Sequence, residues 1–454
     1  MPAAAHPVRQ RGQALPFAVF LLIASTAVML FSLNAGQVTV EKTRITNAAD
    51  AAAYSAGVTL ARALNYGGYT NRAMIANEVA VAQAVSAASW TNYALNTMTV
   101  GPRERIAFRV GWVIPADDMS RWLQLEAAFI GGTVADYYSG GSFSEGAERF
   151  AQLVNVAAGA IVGASSVAAH ALSASQTTLY ATLAADVALG DSPMAAAARQ
   201  VAQTMDPAFE TQIVPASVTA LGFVRRYSDG DRARTRDTVM ASLDEFTRGR
   251  NWDIRQQVPL TRARIERRGS TMMTDDFEGW VSQDSMVARW RTLTWRGWRD
   301  REEQLAESAV VAGTWDAQSS NTITDYAAEF GAGASAYLGL PAYFDLHDLS
   351  AAAGTDSTGL TILVEKARAA LQTSGNALQA RQEGRLDLYQ GEPLAGRLAA
   401  LSRVEVYFAR PTPRADGRDE LASLFNPFWE VRLVQPNAVD RAFMAARQGL
   451  ESLP

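Results

Sequence analysis

Few residues in this chain have the types and spacing that chemistry needs. Asp275/Asp276 and Asp345/Asp348 are carboxylate pairs of the sort that general acid–base catalysis employs. Nothing else converges on either pair, and solvated loop carboxylates are the commoner case. The three histidines, His6, His170 and His347, lie far apart and form no HExxH, which argues against a histidine metal site or a Ser-His-Asp triad. There is no cysteine, so disulfides, thiol nucleophiles, iron–sulfur clusters and thiolate zinc sites are excluded. No P-loop, GxSxG elbow, EF-hand spacing or Asp-x-Ser-x-Ser metal signature is present, and Gly331-Ala-Gly333-Ala-Ser-Ala336 lacks the third glycine of a dinucleotide fingerprint. The expectation is a protein that is not an enzyme, with no cofactor and no metal.

One cluster has binding chemistry. Trp280, Trp290, Trp295 and Trp298 are interleaved with Arg289, Arg291, Arg296 and Arg299. Such a mixture can stack on sugars or bases. The alternation has strand period, so the favoured reading is a hairpin with tryptophans in the core and arginines on the solvated face. The rival reading makes residues 280–299 the site of a membrane-anchored periplasmic glycan-binding module or enzyme, with cell-wall glycan as ligand.

The elements that would hold these residues start from composition. Hydrophobic residues are 48% and charged residues 19% of 454, so the chain should fold around a sizeable core. The net charge of -5 argues against a nucleic-acid partner. Near the start, Arg9 and Arg11 precede an apolar run from Ala14 to Leu33, and no charge appears until Glu41. A bilayer core needs about 20 apolar residues in a helix. The run is too long for the apolar core of a cleaved signal peptide, and Leu33-Asn34-Ala35 fits a small-x-small cleavage site poorly. The reading is a single-pass anchor containing Ala14, Phe17, Phe20 and Leu33, in contact with membrane lipid. Its basic flank puts the N-terminus in the cytoplasm.

Beyond the anchor, Ile45, Ala49, Ala52, Ala56, Leu60 and Leu64 recur on one helical face. Asn65-Tyr-Gly-Gly-Tyr69 reads as a turn, followed by an antiparallel second helix that ends at Gly101-Pro102. Residues 101–210 are alanine-rich and helical, with Ser120 capping a helix at Arg121 and boundaries at Asp191-Ser-Pro193 and Asp206-Pro207. Within them, Leu153 to Leu172 reads as a packed bundle helix rather than a second span. Further on, Leu360, Ile362 and Val364 alternate, as do Val404, Val406 and Phe408, and Trp429, Val431 and Leu433. These are half-buried strand patterns. Asp231 to Arg248 and Glu302 to Ala312 read as helices. The fold class is α+β: an N-terminal membrane helix, an alanine-rich helical region, and a domain with an antiparallel sheet. The boundaries are a basic leader at 1–12, an anchor at 13–36, a stalk and second helix at 37–100, a helical region at 101–210 and an extracytoplasmic α+β domain at 211–454.

Arg11-Gly-Gln-Ala-Leu-Pro-Phe-Ala, the apolar span, and Lys42-Thr-Arg-Ile-Thr-Asn-Ala-Ala-Asp-Ala-Ala-Ala53 together resemble the start of the TadE/TadG-like proteins of Flp (tight-adherence) pilus assembly. The resemblance covers about the first 65 residues. It implies a bitopic inner-membrane protein with a large periplasmic part. It also implies partners among the pilus-assembly or secretion-machinery proteins of the inner membrane and periplasm, and a prepilin-type processing boundary between Gly12 and Gln13. Pilins carry a glutamate five residues after that cut, which compensates a neighbour's terminal amine; here Phe17 stands there and cannot. In this setting Asn47, Asp50, Asn71, Arg72, Asn77 and Glu78 read as a polar seam that registers the helix pair or a partner's helix.

Overall fold

The computed structural model describes residues 14–99, 120–121, 131–132, 134–189, 192–214, 223–258, 261–313, 337–346, 357–367, 370, 397–418 and 420–447. The leader, the Gly12–Gln13 boundary, the Gly101-Pro102 helix end, most of the helix expected from Arg121, and the turn at Gly331–Ala336 lie outside the described residues. The helices are α1 (Ala14–Thr99), α2 (Ser142–Leu189), α3 (Pro193–Met205), α4 (Ala233–Ser242), α5 (Glu245–Arg248) and α6 (Ala438–Arg447). The strands are β1 (Glu210–Ile213), β2 (Val224–Tyr227), β3 (Trp252–Val258), β4 (Thr261–Met273), β5 (Gly279–Thr294), β6 (Gly297–Gly313), β7 (Tyr343–Leu346), β8 (Ser357–Ala367), β9 (Arg397–Phe408) and β10 (Trp429–Val434). The fold is α+β, with a long N-terminal helix, further helices and antiparallel sheets. It divides into two compact units: Met1–Tyr66, Leu179–Val224 and Leu346–Pro454 form the first, Gly67–Thr178 and Arg225–Asp345 the second.

α1 runs without interruption through Asn65–Tyr69, so the expected turn and antiparallel second helix do not form. Glycine costs a helix up to ~1 kcal/mol relative to alanine, and two together looked like a break. Here Gly67 and Gly68 are buried, and the Gly67 carbonyl accepts from Thr70 Oγ1 at 3.1 Å and from Gln176 Nε2 of α2 at 3.3 Å. Burial and these bonds to its backbone hold the segment in the helix.

In the first unit the alternating segments pair as an antiparallel sheet in the order β1-β8-β9-β10. β8 is central and buried on both faces. The face carrying Val404 and Val431 packs on α1, whose Ile45, Ala49, Ala52, Ala56, Leu60 and Leu64 are all buried as the spacing predicts. Gly57 permits the closest approach: a Cβ there would lie 2.7 Å from Val404 Cγ2 and 2.9 Å from Val431 Cγ1. Asn65 then mimics a strand edge. Its Nδ2 donates to the Trp429 carbonyl at 3.0 Å and its Oδ1 accepts from the Trp429 N–H at 2.9 Å. On the opposite face Asp440 of α6 accepts from Thr361 Oγ1 at 2.8 Å and pairs with Arg403 at 2.9 Å. α3 begins where Ser192 Oγ accepts from the Ala195 N–H at 2.9 Å and ends at Asp206, ahead of Pro207.

In the second unit β3-β4-β5-β6 form an antiparallel sheet and β2 pairs with β7. Val81, Ala82, Val85 and Ala88 of α1 share a core with Trp280, Val310, Phe277 and Leu340, and α2 adds Ala158 and Val162. Further along α1, Tyr93 packs with Ile254, Ile265, Met286 and Leu305. Glu302 to Ala312 is part of β6 rather than a helix. Its Glu, Gln, Ala and Leu content favours helix, but the full-length pairing with β5 and the burial of Leu305 to Ala312 override local propensity. Asp231 to Arg248 is helical in pieces. A 3-10 turn leads into α4, and α5 restarts after Asp244, whose Oδ1 accepts from the Thr247 N–H at 2.8 Å.

Gly57→Leu should destabilise the first unit by about 1–3 kcal/mol, because β-branched Val404 and Val431 have little room to yield. Gly36→Ala meets nothing within 4 Å and should be neutral or stabilising by up to ~1 kcal/mol. Thermal unfolding of the two purified variants in detergent checks the contrast.

Candidate interaction site

The start of α1 is uncovered. Ala14, Phe17, Phe20 and Leu33 are exposed, Phe17 at 63% and Phe20 at 67%. Ser25 and Thr26 both donate to the Leu22 carbonyl, at 3.0 and 2.8 Å, so these two hydroxyls are satisfied within the helix. The stretch is long and apolar enough to cross a membrane, and none of its most apolar window is buried; the corresponding window of α2 is 28% buried.

The first charge after this run, Glu41, is buried. It accepts from Lys366 Nζ at 2.8 Å, and the same ammonium reaches Asp206 Oδ2 at 2.7 Å above the Phe209 ring. Arg44 lies 3.5 Å from Asp206 and donates to the Met205 carbonyl at 2.7 Å. Burial opposes the charge on Lys366, but the hydrogen bonds to Asp206 and Glu41 prevail and raise its pKa. Burial likewise opposes ionisation of Asp206, and Lys366 outweighs it, holding that carboxyl below its usual range. Sequence reasoning missed this cluster. Its one signal is scarcity, since Lys42 and Lys366 are the only lysines.

The expected polar seam divides. In the first unit Asn47 is exposed and Asp50 half-buried. In the second, Arg72 is exposed, and half-buried Asn77 donates back to the Ala73 carbonyl at 2.8 Å. Asn71 and Glu78, two turns apart, are buried. Asn71 Nδ2 donates to the Phe344 carbonyl at 2.8 Å and its Oδ1 accepts from Gln176 Nε2 at 2.8 Å. Glu78 Oε2 accepts from Trp280 Nε1 at 3.0 Å and from Tyr337 Oη at 2.8 Å, while Oε1 is buried without a hydrogen-bond partner. Burial pushes the Glu78 carboxyl up to about 7, against the lowering effect of those two donors. A second polar network lies further along the helix. Arg250 grips Asp284 through Nε at 2.8 Å and Nη2 at 3.0 Å, and Ser89 Oγ donates to Asp284 Oδ2 at 2.7 Å.

The Trp/Arg stretch forms the β5–β6 hairpin, closed by the two-residue turn Trp295-Arg296 with Gly297 at φ +103°. The core reading fits Trp280, which is fully buried, and in part Trp290, which is half-buried. It fails for Trp295 and Trp298, exposed at 87% and 41%. The reason is register: β4 stops pairing at Thr261↔Thr292, so the hairpin runs past its neighbour. In the sheet body Arg255, Arg264 and Arg289 stand directly opposite one another. Acids interleave with them, Arg264 pairing with Asp253 at 3.0 Å and Arg289 with Glu302 at 2.9 Å. Among the carboxylate pairs, Asp275 and Asp345 pair with Arg236 and Arg234, and Asp276 accepts from Thr274 and the Glu278 N–H. Asp348 and two of the histidines lie outside the described residues; His170 bonds to the Ser166 carbonyl one turn back.

The class these features define is an α+β protein led by a long helix with a candidate membrane span. Residues 12–63 match the family described as putative Flp pilus-assembly TadE/G-like. That is the segment in which the resemblance was read, and it supports a role related to pilus assembly. No curated protein and no solved structure matches the chain.

Two outcomes follow from the buried charges. The folded pKa of Glu78, about 7, lies above the ordinary 4.5. The folded second unit therefore holds the proton more tightly, and the stabilisation is full below pH 4.5 and lost as pH rises through about 7. Glu78→Gln keeps an acceptor for Trp280 and Tyr337, and should abolish this fall, on the order of a few kcal/mol. Denaturant midpoints across that pH range read it. Lys366→Met leaves buried Glu41 without its ammonium and Asp206 with Arg44 alone, and should cost about 3–5 kcal/mol, seen as a lowered unfolding midpoint.

Proposed function

We propose that this protein is a membrane-anchored component of a Flp-type pilus-assembly or secretion-related system, acting through protein–protein contacts and not through catalysis. The carrying observation is a coincidence: the TadE/G-like match at residues 12–63 takes in the uncovered apolar start of α1. A span of about 20 apolar residues satisfies the bilayer, and Arg9 and Arg11 hold the N-terminus in the cytoplasm. The anchor is single-pass, in the inner membrane, and the bulk of the chain is periplasmic. Its partners are the assembly or secretion proteins of that membrane and the periplasm. The resemblance implies a prepilin-type processing boundary at Gly12–Gln13, while Phe17 in place of an acid weighs against both cleavage there and a place in the fibre, and favours an assembly role.

Full-length protein expressed with its genomic neighbours should sediment with membranes, resist carbonate extraction, and co-purify with a pilus-assembly or secretion-channel protein. Recovery in the soluble fraction, or loss of all such partners with pilus formation unchanged in a deletion strain, would overturn the reading.

A further inference from the structure

We propose that the tip of the β5–β6 hairpin docks onto the surface of an anionic phospholipid bilayer. The tip combines two features that packing inside the protein does not explain. The first is apolar exposure. Trp295 occupies the turn at 87% exposure, and Leu293 and Trp298 face each other across the pair at 41% each. An indole left this open is uncommon unless something covers it, and tryptophan is favoured at the depth of lipid headgroups. The second is charge. Within residues 292–299, beyond the Arg291–Asp300 ion pair at 3.1 Å, Arg296 and Arg299 stand with no acid, in a chain whose net charge is -5. The arginines of the sheet body are matched by Asp253, Glu266 and Glu302, so the uncompensated positive charge concentrates at the tip. Basic side chains beside apolar ones are the signature of attraction to anionic lipid followed by shallow insertion.

The geometry favours lipid over an acidic glycan. A sugar stacks on a bare aromatic face. Here the Arg296 guanidinium lies 4.4 Å from the Trp295 ring centre, and Arg262 and Arg291 lie 5.7 and 5.5 Å from that of Trp298. A phosphate headgroup instead needs cation and indole side by side, with the apolar ring free to enter below it. The two-residue turn and paired strands fix the tip before it binds, so little ordering cost opposes docking.

The absence of cysteine makes the test specific, because Trp295→Cys creates a unique labelling position that replaces the indole with an aromatic dye such as bimane. Full-length labelled protein in zwitterionic nanodiscs is mixed with vesicles of phosphatidylcholine, alone or with phosphatidylglycerol. The expected result is a blue shift and quenching by spin-labelled lipid with the anionic vesicles only. Both should be lost at high salt and in a variant with Arg296 and Arg299 changed to Gln. Unlabelled wild-type protein should co-float with the anionic vesicles, and Trp298→Ser should weaken that flotation. A dye that stays in water with both vesicle types overturns the proposal, as does a shift produced by an acidic polysaccharide and not by vesicles. Should the chain fail to enter nanodiscs, the anchor in the proposed function fails, and the same dye on the chain in detergent solution still decides the tip.

Discussion

Covering the small-residue face of α1 is the constraint on which the rest depends. A helix with alanine at 48, 49, 52, 53 and 56 offers little side-chain area. Its burial is favourable only if partners come almost to the backbone, where close packing supplies many weak contacts. Gly57 against Val404 and Val431 meets that demand in the first unit, and in the second Gln176 reaches the α1 backbone itself at the Gly67 carbonyl. Such a surface has few knobs to fix register. Polar side chains do it instead: Asn65 clasps the backbone of Trp429, and Asn71 clasps Phe344 and Gln176.

The two buried charge sites on α1 solve one problem in opposite ways. Glu41 is matched by the Lys366 ammonium, which Asp206 shares, so charge is kept and compensated. Glu78 has two neutral donors on one oxygen and none on the other, so the neutral form gains. In the first, Lys366 is raised and Asp206 lowered, away from neutrality, whereas Glu78 of the second titrates there. One helix thus carries a fixed electrostatic clasp and a proton-dependent one.

What could be read from the sequence was what short-range pattern encodes. The alternation of Leu360, Ile362 and Val364 found β8, and the spacing of Ile45, Ala49, Ala52 and Ala56 found the buried face of α1. The basic flank and apolar run found the uncovered start of that helix. Misreadings arose where distant partners decide. Gly67-Gly68 looks like a turn unless Gln176, 109 residues on, is known to bond there. Glu302 to Ala312 looks helical unless β5 lies alongside. Glu78 was singled out as polar and helix-borne, but its donors lie 202 and 259 residues away. Nothing local distinguished it from exposed Arg72.

The discontinuous make-up of the first unit has a kinetic consequence. The alanine face of α1 is synthesised well before β8, β9 and β10, which complete its sheet, and Lys366 follows Glu41 by 325 positions. Contacts so distant form late because a long loop must close first. The second unit lies wholly between these stretches and can condense before the first is complete. The helix face that is made first is therefore covered last, and for that interval the nascent chain carries an exposed apolar surface that a holding chaperone would need to shield.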